Sequence, residues 1–152
     1  MILNSVSKKI VKIIISRKKK IAINIKGNSM NPFLHNDDSI IICKKHNYCI
    51  GDIVVFYYKN DNMFLIHRIV FMKGKFIYLK GDNAYRIEKV IKKDIVGFVP
   101  EKRNNKYLLY VYCHVSYKLG KYSKRVKYDM IKIHSSHYYK KSKVLQEELL
   151  LQ

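Results

Sequence analysis

Ser29 stands in the stretch Gly27-Asn28-Ser29-Met30-Asn31-Pro32, among small and turn-forming residues just ahead of a hydrophobic run. A serine hydroxyl is a poor nucleophile at neutral pH. It needs a base within hydrogen-bond reach and usually a third group to orient that base. Histidine is the first candidate. His114, His134 and His137 lie in the basic C-terminal part, and His35 and His46 in polar, loop-like stretches. Only His67 is embedded in a strongly patterned strand, Met63-Phe-Leu-Ile-His-Arg-Ile-Val-Phe71. Alternation places it on one face with Leu65, Ile69 and Phe71 and turns Arg68 the other way. Apolar neighbours strip hydration from an imidazolium, which suits a general base. The same pattern also describes a core histidine with one satisfied hydrogen bond.

Acids are few. Asp82, in Leu79-Lys-Gly-Asp-Asn83, follows a strand at a glycine turn, where a carboxylate could turn back toward the sheet, and Glu88 follows six residues later. Asp52, in a similar Gly-Asp-Ile-Val-Val-Phe run, reads as a turn residue opening a strand. Cys43, His46 and Cys49 supply three potential metal ligands at an unfamiliar spacing, so no metal or cofactor is expected.

The elements that must position these groups can be read from the pattern. A chain of 152 residues, 48% hydrophobic, is long enough for one compact module with a real core. Ile21, Ile23 and Ile25 alternate, and five short β-branched or aromatic runs follow: SIIIC, DIVVFYY, MFLIHRIVF, KFIYLK and DIVGFV, separated by turn signals such as HNDD, KNDN, MKGK and KGDN. No helical period intervenes. The expected fold is mainly β, a small antiparallel β domain over residues 21–100 with short basic helical flanks. Residues 1–20 read as a basic amphipathic helix carrying Val6, Ile10, Ile13 and Ile14 on one side and Lys8, Lys9 and Lys12 elsewhere, either docked on the core or lying on an anionic membrane surface. Residues 101–152 read as a basic, partly helical extension, with Leu108, Val111, Val115, Leu119 and Tyr122 at helical spacing and a short helix at VLQEELLLQ.

The net charge of +20 suggests an anionic partner, but most of it sits in the flanks. Residues 27–100 hold 11 Lys/Arg against 7 acids, close to an ordinary surface. Much lysine, isoleucine, asparagine and tyrosine with no tryptophan is also the bias of an A/T-rich coding sequence. Nucleic acid is therefore the less favoured partner. Three cysteines without C-x-x-C spacing and no secretory signal point to a reduced compartment, and no apolar run approaches the ~20 residues of a membrane span. The expected location is cytoplasmic or peripherally membrane-associated.

Taken in order, G-x-S-M-x-P, a hydrophobic strand, GDIVVF, IHRIV, KGDN and IVGFV resemble the type I signal peptidase family and its serine-peptidase relatives over about residues 21–100. The resemblance implies a serine endopeptidase that removes a leader or signal segment from a precursor. Ser29 matches the nucleophile and forms an acyl-enzyme, and His67 matches the base of the archaeal and endoplasmic-reticulum branch, where many bacterial members carry lysine. Asp82 and Glu88 match two acidic positions six residues apart, Asp82 being the first choice to orient His67. Glu88 departs from the aspartate of relatives. Gly27 stands where some members place an oxyanion-binding serine. With Asn28 and Met30 it is assigned to substrate binding, Met30 flanking the pocket for small residues before the cleavage site, and Pro32 fixes the turn. Two alternatives remain: a self-cleaving repressor-type peptidase with Lys80 as base, and a non-enzymatic basic module that grips nucleic acid or anionic lipid.

Overall fold

The computed structural model describes residues 5–101 and 105–152, with side chains from residue 9 onward. Helix α1 (Ser5–Lys18) leads into seven strands: β1 (Lys20–Asn24), β2 (Ser39–Cys43), β3 (Ile53–Tyr58), β4 (Met63–Lys73), β5 (Phe76–Lys80), β6 (Ile87–Ile91) and β7 (Ile95–Val99). Three helices follow: α2 (Lys106–Arg125), α3 (Met130–Ser135) and α4 (His137–Leu150). The strands form one sheet in the order β1-β2-β7-β3-β4-β5-β6, and every pairing is antiparallel. The protein is thus mainly β, as its turn-punctuated apolar runs require.

Strand β6 has no counterpart in the sequence reading. Its residues, Ile-Glu-Lys-Val-Ile, alternate imperfectly, because the inward position 88 carries a carboxylate where an apolar side chain would announce a strand. A second difference lies in β4. The pairing with β5 shifts register between Ile69 and Phe71, so the simple alternation fails there. Ile69 packs with Val54, Phe56, Leu79 and Val90, whereas Phe71 stacks on Tyr117 of α2 at 4.5 Å between ring centroids. His67 and Phe71 therefore do not share a face.

The helices close the other side of β4. Val70 joins Tyr112, Cys113 and Val115 of α2 and Leu145 and Leu149 of α4 in one buried cluster. In α4, Ser142, Leu145, Gln146 and Leu149 are buried at positions that recur with the helical turn. At the opposite end of the sheet α1 docks through Ile15 and Val11 against Ile42, Ile53 and Val96. The stripe read from the sequence is not the docking face: Ile10, Ile13 and Ile14 are exposed, and Val6 and Lys8 lie outside the described side chains. Among the described residues no helix is long and apolar enough to cross a membrane.

Candidate active site

Ser29 sits on the loop between β1 and β2. Strand β1 delivers the chain to Ile25, whose N–H donates to Asp38 O, so the loop closes on itself at its base. Within it, Gly27 holds φ +98°, a left-handed conformation that side chains resist, and its N–H donates to Asn36 Oδ1 at 2.8 Å. The turn beyond is tied by Phe33 and Leu34 N–H groups donating to Met30 O, both at 3.0 Å. Ser29 is exposed on this turn, and Met30, next to it, is driven inward.

His67 comes from the neighbouring region of the sheet. Val54 lies opposite it across β3, and its ring is 5.9 Å from that of Phe56, so the imidazole is walled by core residues and only 5% exposed. Its Nε2 lies 3.3 Å from Ser29 Oγ, and its Nδ1 lies 2.8 Å from Glu88 Oε2. Glu88 reaches the histidine across the end of β5. In register it stands opposite Leu79, on the face shared by Ile69 and His67. Between His67 and the serine loop stands Gly81. A Cβ there would lie 2.6 Å from Ser29 O and 3.0 Å from His67 Nε2, so any side chain would force the serine and histidine apart. Asn83, two residues on, donates its N–H to Ser29 O at 2.8 Å. The turn after β5 thus holds the loop that carries Ser29.

The second oxygen of Glu88 is also occupied. Arg86 Nε donates to Oε1 at 3.0 Å, and its Nη2 is bonded to Asp61 in the turn between β3 and β4. The guanidinium rests over the Tyr58 ring, 5.3 Å from the centroid. Hydrogen bonds to Asp61 and then Glu88 raise the Arg86 pKa above its ordinary value. Arg86 stands immediately ahead of β6, two residues before Glu88, and through these bonds fixes the carboxylate.

Asp82 is placed differently from the sequence expectation. It is buried on the helix side of the sheet, where it accepts from Arg68 Nε and Nη2, both at 3.0 Å, and from the Tyr112 hydroxyl at 2.9 Å. The reason is the alternation of the strand: Arg68 points away from His67, and its buried cation draws the nearer carboxylate. Arg68 also donates to Gly51 O at 2.9 Å and Glu101 at 3.0 Å. Burial alone would lower its pKa, but Asp82 and Glu101 outweigh that and hold it above the usual arginine range. Gln146 of α4 completes the cluster, donating to Asp82 O at 2.8 Å and the Tyr112 hydroxyl at 2.9 Å.

Lys80 pairs in register with Arg68 and so faces the helices, not His67. Its Nζ donates to Gly81 O at 3.0 Å, and burial, with help from Lys143, brings its pKa down to about 8. Met30 also departs from expectation. It is 2% exposed and packed with Ile15, Ile42 and Val55, so its side chain belongs to the core. Gly27 and Asn28 are exposed beside Ser29, and a Cβ on Gly27 would meet nothing within 4 Å. Among the described residues no cluster of His, Cys, Asp and Glu could hold a metal ion. Cys113, buried beneath the helices, has its thiol pushed up to about 12 by that burial, which leaves it a poor nucleophile.

A serine, an imidazole and a carboxylate in hydrogen-bond sequence can deprotonate a hydroxyl. A family model described as Peptidase S24-like matches residues 5–99, well over half of the chain. The chain belongs to the Peptidase S24-like family. That family is one of serine peptidases and includes self-cleaving repressors of the LexA type. Neither a curated protein nor a solved structure gives a match. The S24-like match ends at β7, so Tyr112 and Gln146, which hold Asp82, come from sequence beyond it. Sequence reading missed Gly81, Asn83 and Arg86 as parts of the site. The KGDN turn signal was visible for the first two, while Arg86 had no signal beyond its place two residues before Glu88.

Proposed function

We propose that this S24-like chain is a serine endopeptidase of the signal-peptidase type that removes a leader or signal segment from a precursor. The observation that carries the reading is the run Ser29 Oγ, His67 Nε2 at 3.3 Å, His67 Nδ1, Glu88 Oε2 at 2.8 Å. A neutral imidazole that keeps its proton on Nδ1 donates to Glu88 and presents the Nε2 lone pair to the serine hydroxyl. As Ser29 Oγ attacks the scissile carbonyl, its proton passes to Nε2, and Glu88 balances the imidazolium. The proton then goes to the leaving amine, which departs with the C-terminal product. The acyl group stays on Ser29 until water, deprotonated by the same Nε2, releases the N-terminal segment. Glu88, not Asp82, is the orienting carboxylate in this scheme.

The oxyanion needs donors. The N–H of Ser29 is the donor in the signal peptidases this chain resembles, and Gly27 leaves the second donor to the backbone. Gly27 and Asn28 border the nucleophile without bulk, which suits close approach of an extended substrate backbone. Histidine at position 67 favours processing of a separate precursor over the lysine-based self-cleavage of LexA-type relatives, because Lys80 lies on the far face of the sheet.

Incubation with a panel of leader-bearing precursor peptides, read by mass spectrometry, tests this. The wild-type chain should cut one bond in a substrate peptide, and Ser29→Ala and His67→Ala should cut none. Undiminished cleavage by Ser29→Ala would overturn the proposal. Cleavage that disappears in Lys80→Ala but survives in His67→Ala would favour the self-cleaving repressor mechanism.

A further inference from the structure

We propose that α1 and the depressions beside it form a docking face for an anionic lipid bilayer. The helix has two apolar sides. One, the buried Ile15 with the partly buried Val11, already packs against the sheet. The other does not: Ile10 is 51%, Ile13 50% and Ile14 37% exposed. Steps of three and four residues bring these three to one side of the helix, and Arg17 continues that side one turn later. Lys9 and Lys18 are exposed at its flanks. An isolated exposed isoleucine needs no explanation, but three adjoining ones on an otherwise basic helix form a patch.

The charged side chains that line the patch are basic, although Lys45 among them is paired with Asp52. The sequence of α1 contains no acid. A shallow depression beside it is lined by Lys12, Ile13, Lys44 and Tyr48 among others, and a second, sharing Tyr48, by Lys75, Lys92 and Lys93 over Met72 and Ile77. Neither lining includes an aspartate or glutamate. The Lys12 ammonium donates to Lys93 O, which ties the helix to the rim of the second depression. Apolar side chains ringed by ammonium groups match the acyl boundary and the phosphates of an anionic membrane surface. Nucleic acid would satisfy the lysines and leave the isoleucines in water. A second copy of the chain would set like charge against like, at +20 per molecule.

Vesicle co-sedimentation of the full chain tests the assignment, independently of whether Ser29 is active. The chain should sediment with phosphatidylcholine vesicles containing phosphatidylglycerol, and weakly or not at all with phosphatidylcholine alone. Replacing Ile10, Ile13 and Ile14 together by serine should weaken that binding by about tenfold or more, while replacing them by leucine should retain it. Val11 and Ile15 remain in both variants, so far-UV circular dichroism should report an unchanged fold. High salt should weaken binding further. No sedimentation with anionic vesicles, or a serine variant that binds as well as the wild type, overturns the proposal. Self-association that depends on the same isoleucines without vesicle binding overturns it in favour of a second copy. Binding of nucleic acid that persists in the serine variant, with no binding to vesicles, overturns it in favour of a polyanion.

Discussion

His67 and Glu88 meet at 2.8 Å, Nδ1 to Oε2, although they stand on strands separated by β5. The contact exists because glutamate is long enough to reach across the end of the intervening strand, while Gly81 leaves the other edge of the imidazole, toward Ser29, free of a side chain.

Glu88→Gln keeps the shape but removes the charge that favours imidazolium. In steady-state cleavage kcat should fall by about 100- to 10,000-fold with KM little changed. Glu88→Asp should also lose rate, because the shorter side chain withdraws from Nδ1. A Glu88→Gln variant with wild-type kcat would remove the carboxylate from the mechanism.

Arg86 holds the second oxygen of the same carboxylate while Asp61 holds Arg86. Arg86→Met should lower kcat by about tenfold, and Arg86→Lys should recover part of it, since the ammonium can supply charge but not the same two-pronged geometry. Arg86 is half-exposed, so thermal melts should move little. A fall in melting temperature that accounts for the lost rate would reduce Arg86 to a structural role.

Asp82 should behave in the opposite way. Its carboxylate makes the two-pronged pair with the fully buried Arg68, and removing it leaves that cation with Glu101 as its remaining counter-charge and two of its N–H groups without their acceptor. Asp82→Ala should destabilise the fold by about 3–5 kcal/mol in chemical denaturation, and Tyr112→Phe, which loses hydrogen bonds to Asp82 and Gln146, by about 1–3 kcal/mol. Comparable urea midpoints for Asp82→Ala and Glu88→Ala would contradict this division of labour.

Lys80 makes stability depend on pH on the alkaline side of neutrality. Its folded pKa, about 8, lies below the ordinary 10.5, so between these values the unfolded chain binds more protons. Stability should rise from pH 8 to 9 by about 1 kcal/mol. Above pH 9 the gain is opposed, because burial raises the Cys113 thiol from 9.0 to about 12 and the folded state there holds the extra proton. Lys80→Met should flatten the rise between pH 8 and 9 in urea titrations. An unchanged rise would assign it to another group.

The sequence reading succeeds where one physical demand dominates a segment. The unbroken apolar run of β3, buried along nearly its whole length, and the helical recurrence in α2 are strong because burial alone governs each. It stops where two demands compete. Glu88 interrupts the apolar alternation of β6, so the strand that carries the orienting acid is hidden by that acid. Along the chain Asp82 is the first choice to orient His67 and Glu88 the second. Only the burial of Arg68 on the opposite face, a consequence of three-dimensional pairing, draws Asp82 away. Tyr112 and Gln146 could not be foreseen, since their partner lies 30 and 64 residues earlier.

The central claim is that His67 activates the Ser29 hydroxyl. Intact-protein mass spectrometry after exposure to a fluorophosphonate measures it directly, because the reagent phosphonylates only an activated serine. One adduct, mapped to the peptide containing Ser29 and suppressed in the folded His67→Ala variant, is the predicted result. Labelling of Ser29 at an equal rate in His67→Ala, or no adduct at Ser29 in the wild-type chain, would contradict it.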